Sequence, residues 1–80
     1  MDRDTVIRQI RAQERSTAMW VEQHQQHKDR SSMLNAMFAL GKLSSLISLL
    51  SAKGEDTPED ILQIQSTYGK VFDEILRNVF

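Results

Sequence analysis

The stretch of sequence that decides the fold is residues 31–52, SSMLNAMFALGKLSSLISLLSA. Its Met, Leu, Phe, Ile and Ala side chains surround most of a helix, and none of its residues is acidic. A helix that is apolar on nearly every side is not stable alone in water. We therefore expect it to lie between other helices of its own chain, or between its own chain and a protein partner.

The signals around this stretch predict three helices and one turn: helices at residues 4–29, 32–52 and 58–79, and a turn at residues 53–57. Gly54 fits the left-handed position just past a helix end. Thr57 is predicted to cap the third helix, and Pro58 to be its first residue. The turn is therefore a firm boundary between the second and third helices.

These elements predict one all-α domain, a small helical hairpin or three-helix domain that self-associates. In this arrangement the second and third helices form the hairpin, and the first packs across it or extends to pair with another copy. The third helix would cover the second with an apolar stripe spaced by three or four residues: Ile61, Ile64, Tyr68, Phe72 and Ile75.

The first helix carries few apolar side chains. They form two short patches, Val6, Ile7 and Ile10 and then residues 18–21. We expect tertiary packing to hold this helix at those two places only. Ser31 or Ser32, with Asp29 beside it, is predicted to cap the second helix and so to separate it from the first. If the two helices are instead continuous, they form a rod of about 49 residues and about 70 Å, which would need a partner along its length.

Length and composition indicate a small domain of modest stability. Eighty residues, 40% of them hydrophobic, make one domain that buries about 60–65% of the surface of its unfolded chain. The chain has no cysteine, so neither a disulfide nor a thiolate metal site can reinforce it. Helix packing and self-association are the remaining means of stabilisation.

The sequence predicts a cytoplasmic protein without a membrane span. The opening residues, MDRDTVIRQIR, are charged where the apolar segment of a signal peptide would lie. The stretch from Met33 to Leu50 is long enough to span a bilayer, but Asn35, Lys42 and three serines interrupt it.

No catalytic or cofactor site is predicted. His24 and His27 share a helical face but lack the third ligand that a metal site needs. The serines of the middle helix have no base in register and no glycine-rich turn before them. We therefore expect no enzymatic activity, no metal, no cofactor and no small-molecule substrate.

Arg8, Arg11 and Arg15 share one face of the first helix. Such spacing could follow phosphates, which leaves open a small dimeric nucleic-acid-binding regulator. The net charge of −1 argues against this function, and the acidic third helix offers carboxylates for ion pairs instead. We expect these arginines to form ion pairs within the chain or between subunits.

The predicted function is protein–protein interaction: the chain would act as a small helical adaptor, chaperone or inhibitor. We also expect it to form a homodimer. Unbranched thioethers beside large rings are adaptable at partner grooves. The predicted partner-binding residues lie mainly on the middle helix, with one aromatic anchor on each side of it: Trp20, Met33, Met37, Phe38, Leu40, Leu43, Ile47 and Phe80.

Residues 46–76, LISLLSAKGEDTPEDILQIQSTYGKVFDEIL, combine a leucine-rich helix, a Gly/Asp/Pro turn and a second helix. This layout resembles the hairpin of type III secretion needle subunits and their small co-chaperones. The resemblance covers about half of the chain. It implies, as an alternative function, a needle co-chaperone or needle-like subunit, and it transfers no individual residue role.

Overall fold

A computed structural model describes residues 2–52 and 56–79 of the chain. They form three helices and no strand: α1 (Arg3–His27), α2 (Arg30–Ala52) and α3 (Glu59–Val79). The 25 residues of α1 span about 37 Å at 1.5 Å per residue, which matches the 38 Å long axis of the molecule. The prediction of a small all-α three-helix domain is confirmed. Lys53 and Gly54 lie outside the described residues.

A two-residue turn separates α1 from α2, so the alternative of one continuous rod is wrong. Lys28 has φ 54° and ψ 25°, the left-handed conformation, and its N–H donates to the carbonyl oxygen of His24 at 2.8 Å. Left-handed backbone cannot continue a right-handed helix. The chain therefore reverses direction here, and α1 and α2 form a helical hairpin.

Asp29 immediately precedes α2 and caps its first turn. Its carboxylate accepts a hydrogen bond from the N–H of Ser32 at 2.8 Å and another from the Ser32 hydroxyl, and its carbonyl accepts from Met33 N–H. These bonds hold the pKa of Asp29 below its usual range, mainly through the Ser32 side chain. The cap residue is therefore Asp29, and not Ser31 or Ser32 as we predicted. The side-chain oxygen of a cap residue accepts from the backbone N–H about three residues further on, and Ser32 supplies that N–H.

The other two helices also begin at identifiable residues. Asp2 caps α1, and its carboxylate accepts from the N–H of Thr5 at 2.7 Å. The carbonyl of Pro58 accepts from the N–H of Leu62 at 3.1 Å, so Pro58 precedes the first residue of α3. We predicted this role for Thr57, one residue earlier.

The helix pair that packs most extensively is α1 with α2, whereas we predicted α2 with α3 and α1 lying across them. Small side chains explain the difference. Ala36 and Ala39 are buried on the α1-facing side of α2, where they let the two backbones approach closely, and the short turn keeps the helices side by side. The third helix packs against this hairpin less extensively.

The core consists of two apolar clusters, one towards each end of the molecule. The first joins all three helices and contains Val6, Ile7, Ile10, Leu43, Ile47, Leu50 and Ile61. The second contains Val21, Ala36, Leu40 and Ile75, with Trp20, Met33, Met37, Val71 and Phe72 packed against it. Tyr68 packs against both clusters. The inward face of α2 is therefore covered by its own chain.

A third contact holds α1 between the two apolar patches, where we expected none. Thr17 is fully buried, and its hydroxyl lies 2.8 Å from the carbonyl oxygen of Gln13 and 3.3 Å from that of Ala39. A threonine in a polar stretch gives no sign in the sequence that it faces inward. Met19, by contrast, belongs to the second predicted patch and is half exposed.

By its length and mean hydropathy of 1.5, α2 could cross a membrane. Core helices of soluble proteins meet the same criterion, and 33% of this stretch is buried inside the protein. That α2 does not span a membrane stays a prediction.

Candidate functional site

The outer face of α2, opposite its buried face, is the largest exposed apolar feature of this helix. We use this name for five residues at helical spacings of four, three, four and four: Leu34, Phe38, Gly41, Ser45 and Leu49. Phe38 has 82% of its surface exposed, and Leu34 and Leu49 have 49% and 42%. Residues at such spacings share one face of a helix. Three large apolar side chains are therefore presented to solvent along about four turns.

The predicted partner-binding residues divide into three groups by burial. Leu40, Leu43 and Ile47 are almost fully buried in the core of the chain. Trp20, Met33 and Met37 are half buried over the second cluster, and Phe38 is exposed. Phe80 lies outside the residues that the structure describes.

Sequence reasoning missed Leu34 and Leu49. A signal for them exists, because at about 100° per residue Leu34 lies opposite Leu43 and Leu49 lies about 120° from it, and a helix buried on one side exposes the other. It could not be used without knowing which side of α2 faces the core.

A depression of about 450 Å³ lies beside the outer face of α2. It is lined by Arg30, Met33, Leu34, Met37 and Asn78. Methionine side chains adapt their shape to an apolar neighbour more readily than branched side chains do. This end of α2 therefore offers a partner both a projecting ring, Phe38, and an adaptable recess.

A groove of about 220 Å³ separates α2 from α3. The polar groups that line it are mainly neutral, contributed by Ser44, Ser48, Gln65 and Tyr68. The Tyr68 hydroxyl donates to the Glu14 carboxylate at 3.2 Å. Burial raises the pKa of Tyr68, and the negative charge of Glu14 raises it further. The groove thus contains a neutral phenol rather than a reactive nucleophile at neutral pH.

Another groove, of about 460 Å³, lies between the end of α1 and the end of α3. Its polar lining includes His24, Gln25, Lys28, Glu74 and Asn78. The Nδ1 atom of His24 is buried and has no hydrogen-bond partner within residues 2–52 and 56–79. Over the same ranges, no three His, Cys, Asp or Glu side chains are placed to hold a metal ion.

One of the three arginines on α1 forms an ion pair with α3. The guanidinium of Arg11 donates twice to the carboxylate of Asp60, from Nε to Oδ2 at 2.9 Å and from Nη2 to Oδ1 at 3.3 Å. This pairing lowers the pKa of Asp60 and raises that of Arg11. Neither Arg8 nor Arg15 forms a salt bridge with another residue in the described part of the chain.

Arg3 ties the start of α1 to the segment before α3. Its Nη2 donates to the carbonyl oxygen of Asp56 at 2.8 Å. Together with the Arg11–Asp60 pair, this contact joins α1 to the beginning of α3 at the end of the molecule that contains the first cluster.

No protein-family model matches this chain, and no curated protein or solved structure shows significant similarity to it. The geometry of the surface is therefore the basis on which function is argued.

Proposed function

We propose that this chain is a non-enzymatic, cytoplasmic protein-interaction module that binds another protein molecule through the outer face of α2. A single observation carries the proposal: Phe38 is 82% exposed on a helix whose opposite face is buried. Burying a phenylalanine side chain is worth about 1.5–3 kcal/mol. A partner that covers Phe38 would bury the ring, and this burial would contribute that free energy to binding.

The neighbours of Phe38 support binding of an apolar surface. Leu34 and Leu49 extend the exposed apolar area along the helix, and α2 has no acidic residue. Contiguous apolar surface on a soluble domain is a common mark of a protein interface. The recess beside Leu34, lined partly by Met33 and Met37, would accept an apolar side chain of the partner.

Nucleic-acid binding has less support than protein binding. The double hydrogen bond from Arg11 to Asp60 neutralises the central arginine of the basic face. Only Arg8 and Arg15 remain for phosphates on that face, whereas phosphate-directed affinity grows with the number of cations that contact the backbone. We therefore do not propose this function.

A secretion co-chaperone or needle-like subunit is one form that an interaction module can take. The resemblance to those proteins rests on the layout of α2, the turn and α3. In the structure α2 packs more extensively against α1, so the hairpin on which the resemblance depends is not the main packing unit. No observation favours this form over other adaptors.

Site-specific photocrosslinking in the native cells tests the proposal. A benzophenone amino acid replaces Phe38, and as a matched control it replaces Thr67, an exposed residue of α3. We expect discrete protein adducts from position 38 that are missing from position 67. Mass spectrometry of the adducts then identifies the partner, including this chain itself.

Identical crosslinking patterns at the two positions, or no adduct at position 38, would contradict the proposal. Circular dichroism of each purified variant verifies that the helices are retained.

A further inference from the structure

The outer face of α2 is nearly symmetric about its midpoint. Leu34 and Leu49 lie equally far from the point midway between residues 41 and 42, and so do Phe38 and Ser45. Reversing the helix therefore places leucine on leucine and the exposed ring on a small side chain. Such self-complementarity is what a twofold interface requires, because the same patch serves both subunits.

We propose that the outer face of α2 binds the same face of a second copy of this chain, with the two α2 helices antiparallel. The inference rests on the proposed function and names its partner. A twofold axis passes between residues 41 and 42. Leu34 of one copy then lies against Leu49 of the other, and Phe38 lies over Ser45.

Gly41 provides an independent reason for close approach at this point. Glycine is unfavourable in a helix interior, and a Cβ atom added at Gly41 would meet nothing within 4 Å in the described chain. No neighbour within the monomer therefore requires a glycine at this position. A second backbone crossing here would require one, since the missing side chain lets two helices approach closely.

The exposed serine of the outer face, Ser45, fits the same arrangement. Ser45 is exposed on the outer face, whereas Ser44 and Ser48 line the groove between α2 and α3. In an antiparallel pair, Ser45 leaves the space that the ring of Phe38 occupies. The large residue of each copy thus meets a small residue of the other.

Charge favours a second copy over a highly charged partner. The five residues of the outer face are all uncharged, and the nearest cation, Lys42, lies at its edge. Its long stem allows the ammonium group to turn to solvent. Gln9, Ala12 and Gln13 of α1, which line a shallow groove with Lys42, add no charge on that side.

The available area indicates a weak dimer. At 1.5 Å per residue α2 is about 34 Å long, and a strip about 10 Å wide would bury roughly 340 Å² per copy. Stable dimers bury about 800 Å² per partner. Association is therefore expected in the micromolar to millimolar range, and measurements have to extend to those concentrations.

Cysteine crosslinking tests the register, because the chain has no cysteine of its own. In the proposed dimer, residue 41 and its counterpart are offset by about 1.5 Å along the axis, whereas residue 45 and its counterpart are offset by about 10.5 Å. A disulfide requires Cα atoms within about 7 Å. We expect Gly41→Cys to form covalent dimers at least tenfold faster than Ser45→Cys or the α3 control Thr67→Cys under mild oxidation.

Sedimentation of the wild-type chain, Phe38→Glu and Gly41→Leu from about 10 µM to about 1 mM tests the association itself. We expect the average mass of the wild type to rise towards that of a dimer and both variants to stay monomeric. Both positions have open space in the monomer, and circular dichroism verifies that each variant is folded.

Three outcomes would overturn the inference: a monomer at every concentration, equal crosslinking at positions 41 and 45, or undiminished dimers in both variants. The second of these would indicate parallel helices. A monomer that nevertheless forms photocrosslinks from position 38 to another protein would refute the second copy as partner and retain the proposed function.

Discussion

The hydroxyl oxygen of Thr17 in α1 lies 3.3 Å from the carbonyl oxygen of Ala39 in α2, in a site without solvent exposure. The same hydroxyl lies 2.8 Å from the carbonyl of Gln13, so its one proton has an acceptor in each helix. The Gln13 amide is also within hydrogen-bond distance of Thr17 and Ala39. This polar contact fills the gap between the two apolar clusters.

Replacing Thr17 tests how closely α1 and α2 are packed. Thr17→Leu adds volume to an enclosed site and should lower the free energy of unfolding by about 1–3 kcal/mol. Thr17→Val keeps the shape and removes only the hydroxyl, so its effect should not exceed about 1 kcal/mol. Urea unfolding followed by circular dichroism measures both. A leucine variant as stable as the wild type would contradict the enclosed site.

Lys28 should be replaceable by glycine with a gain in stability. Its left-handed conformation costs a residue with a Cβ about 1 kcal/mol, and glycine adopts it freely. We therefore expect Lys28→Gly to raise the free energy of unfolding by about that amount. Gln25→Gly, one turn earlier in the regular helix, should instead lower it by about 1 kcal/mol. If both glycine variants changed the free energy of unfolding in the same direction, that result would contradict the turn geometry.

Stability should fall in acid. Hydrogen bonds from Thr5, Ser32 and Arg11 lower the pKa values of Asp2, Asp29 and Asp60, respectively. A carboxyl whose folded pKa lies below its unfolded value stabilises the fold above about pH 4, and this contribution disappears as pH falls through the folded pKa. We expect the urea concentration at the midpoint of unfolding to decrease once the pH is lowered below about 4.

The variant Asp29→Asn isolates one of these groups. Asparagine is an equally good helix cap but does not titrate. The variant should stay folded at neutral pH and show a shallower loss of stability in acid than the wild type. If the stability of this variant fell in acid as steeply as that of the wild type, Asp29 would not contribute to the loss of stability in acid.

Stability should also fall in strong alkali because of Tyr68. Burial and the nearby Glu14 carboxylate raise its pKa above the usual value of 10. The neutral phenol is thus favoured in the folded state, so its contribution is complete below about pH 10 and decreases as pH rises towards the folded pKa. Absorbance of the phenolate near 295 nm should show late ionisation, and Tyr68→Phe should flatten the alkaline part of the stability profile.

Truncation should destabilise the fold strongly at Leu43 and hardly at all at Phe38. Leu43 is 1% exposed, so Leu43→Ala should cost about 2–5 kcal/mol of unfolding free energy. Phe38→Ala removes a side chain that contacts mainly solvent and should change stability by less than about 0.5 kcal/mol. Thermal unfolding at low protein concentration compares the two. A large loss at position 38 would show that the ring supports the fold of the monomer.

Local signals predicted the existence of the three helices. The apolar periodicity of α3, the polar residues around Asp29 and the proline before α3 all act within a few residues, which makes them readable from sequence. The observed ends differ from the predicted ends by two residues or fewer. The cap residues were misplaced by a few positions, since several polar residues near each boundary could accept the same hydrogen bond.

The sequence by itself determined that the chain is helical and that its middle helix is too apolar to stand alone. Only the tertiary structure decided which side of that helix is covered. Leu34 and Leu43 are chemically identical, yet Leu34 is half exposed and Leu43 is buried. The difference arises because α1 packs against the side of α2 that contains Ala36 and Ala39. When every side of a helix is apolar, its own sequence cannot select a face, and the positions of its neighbours make the choice.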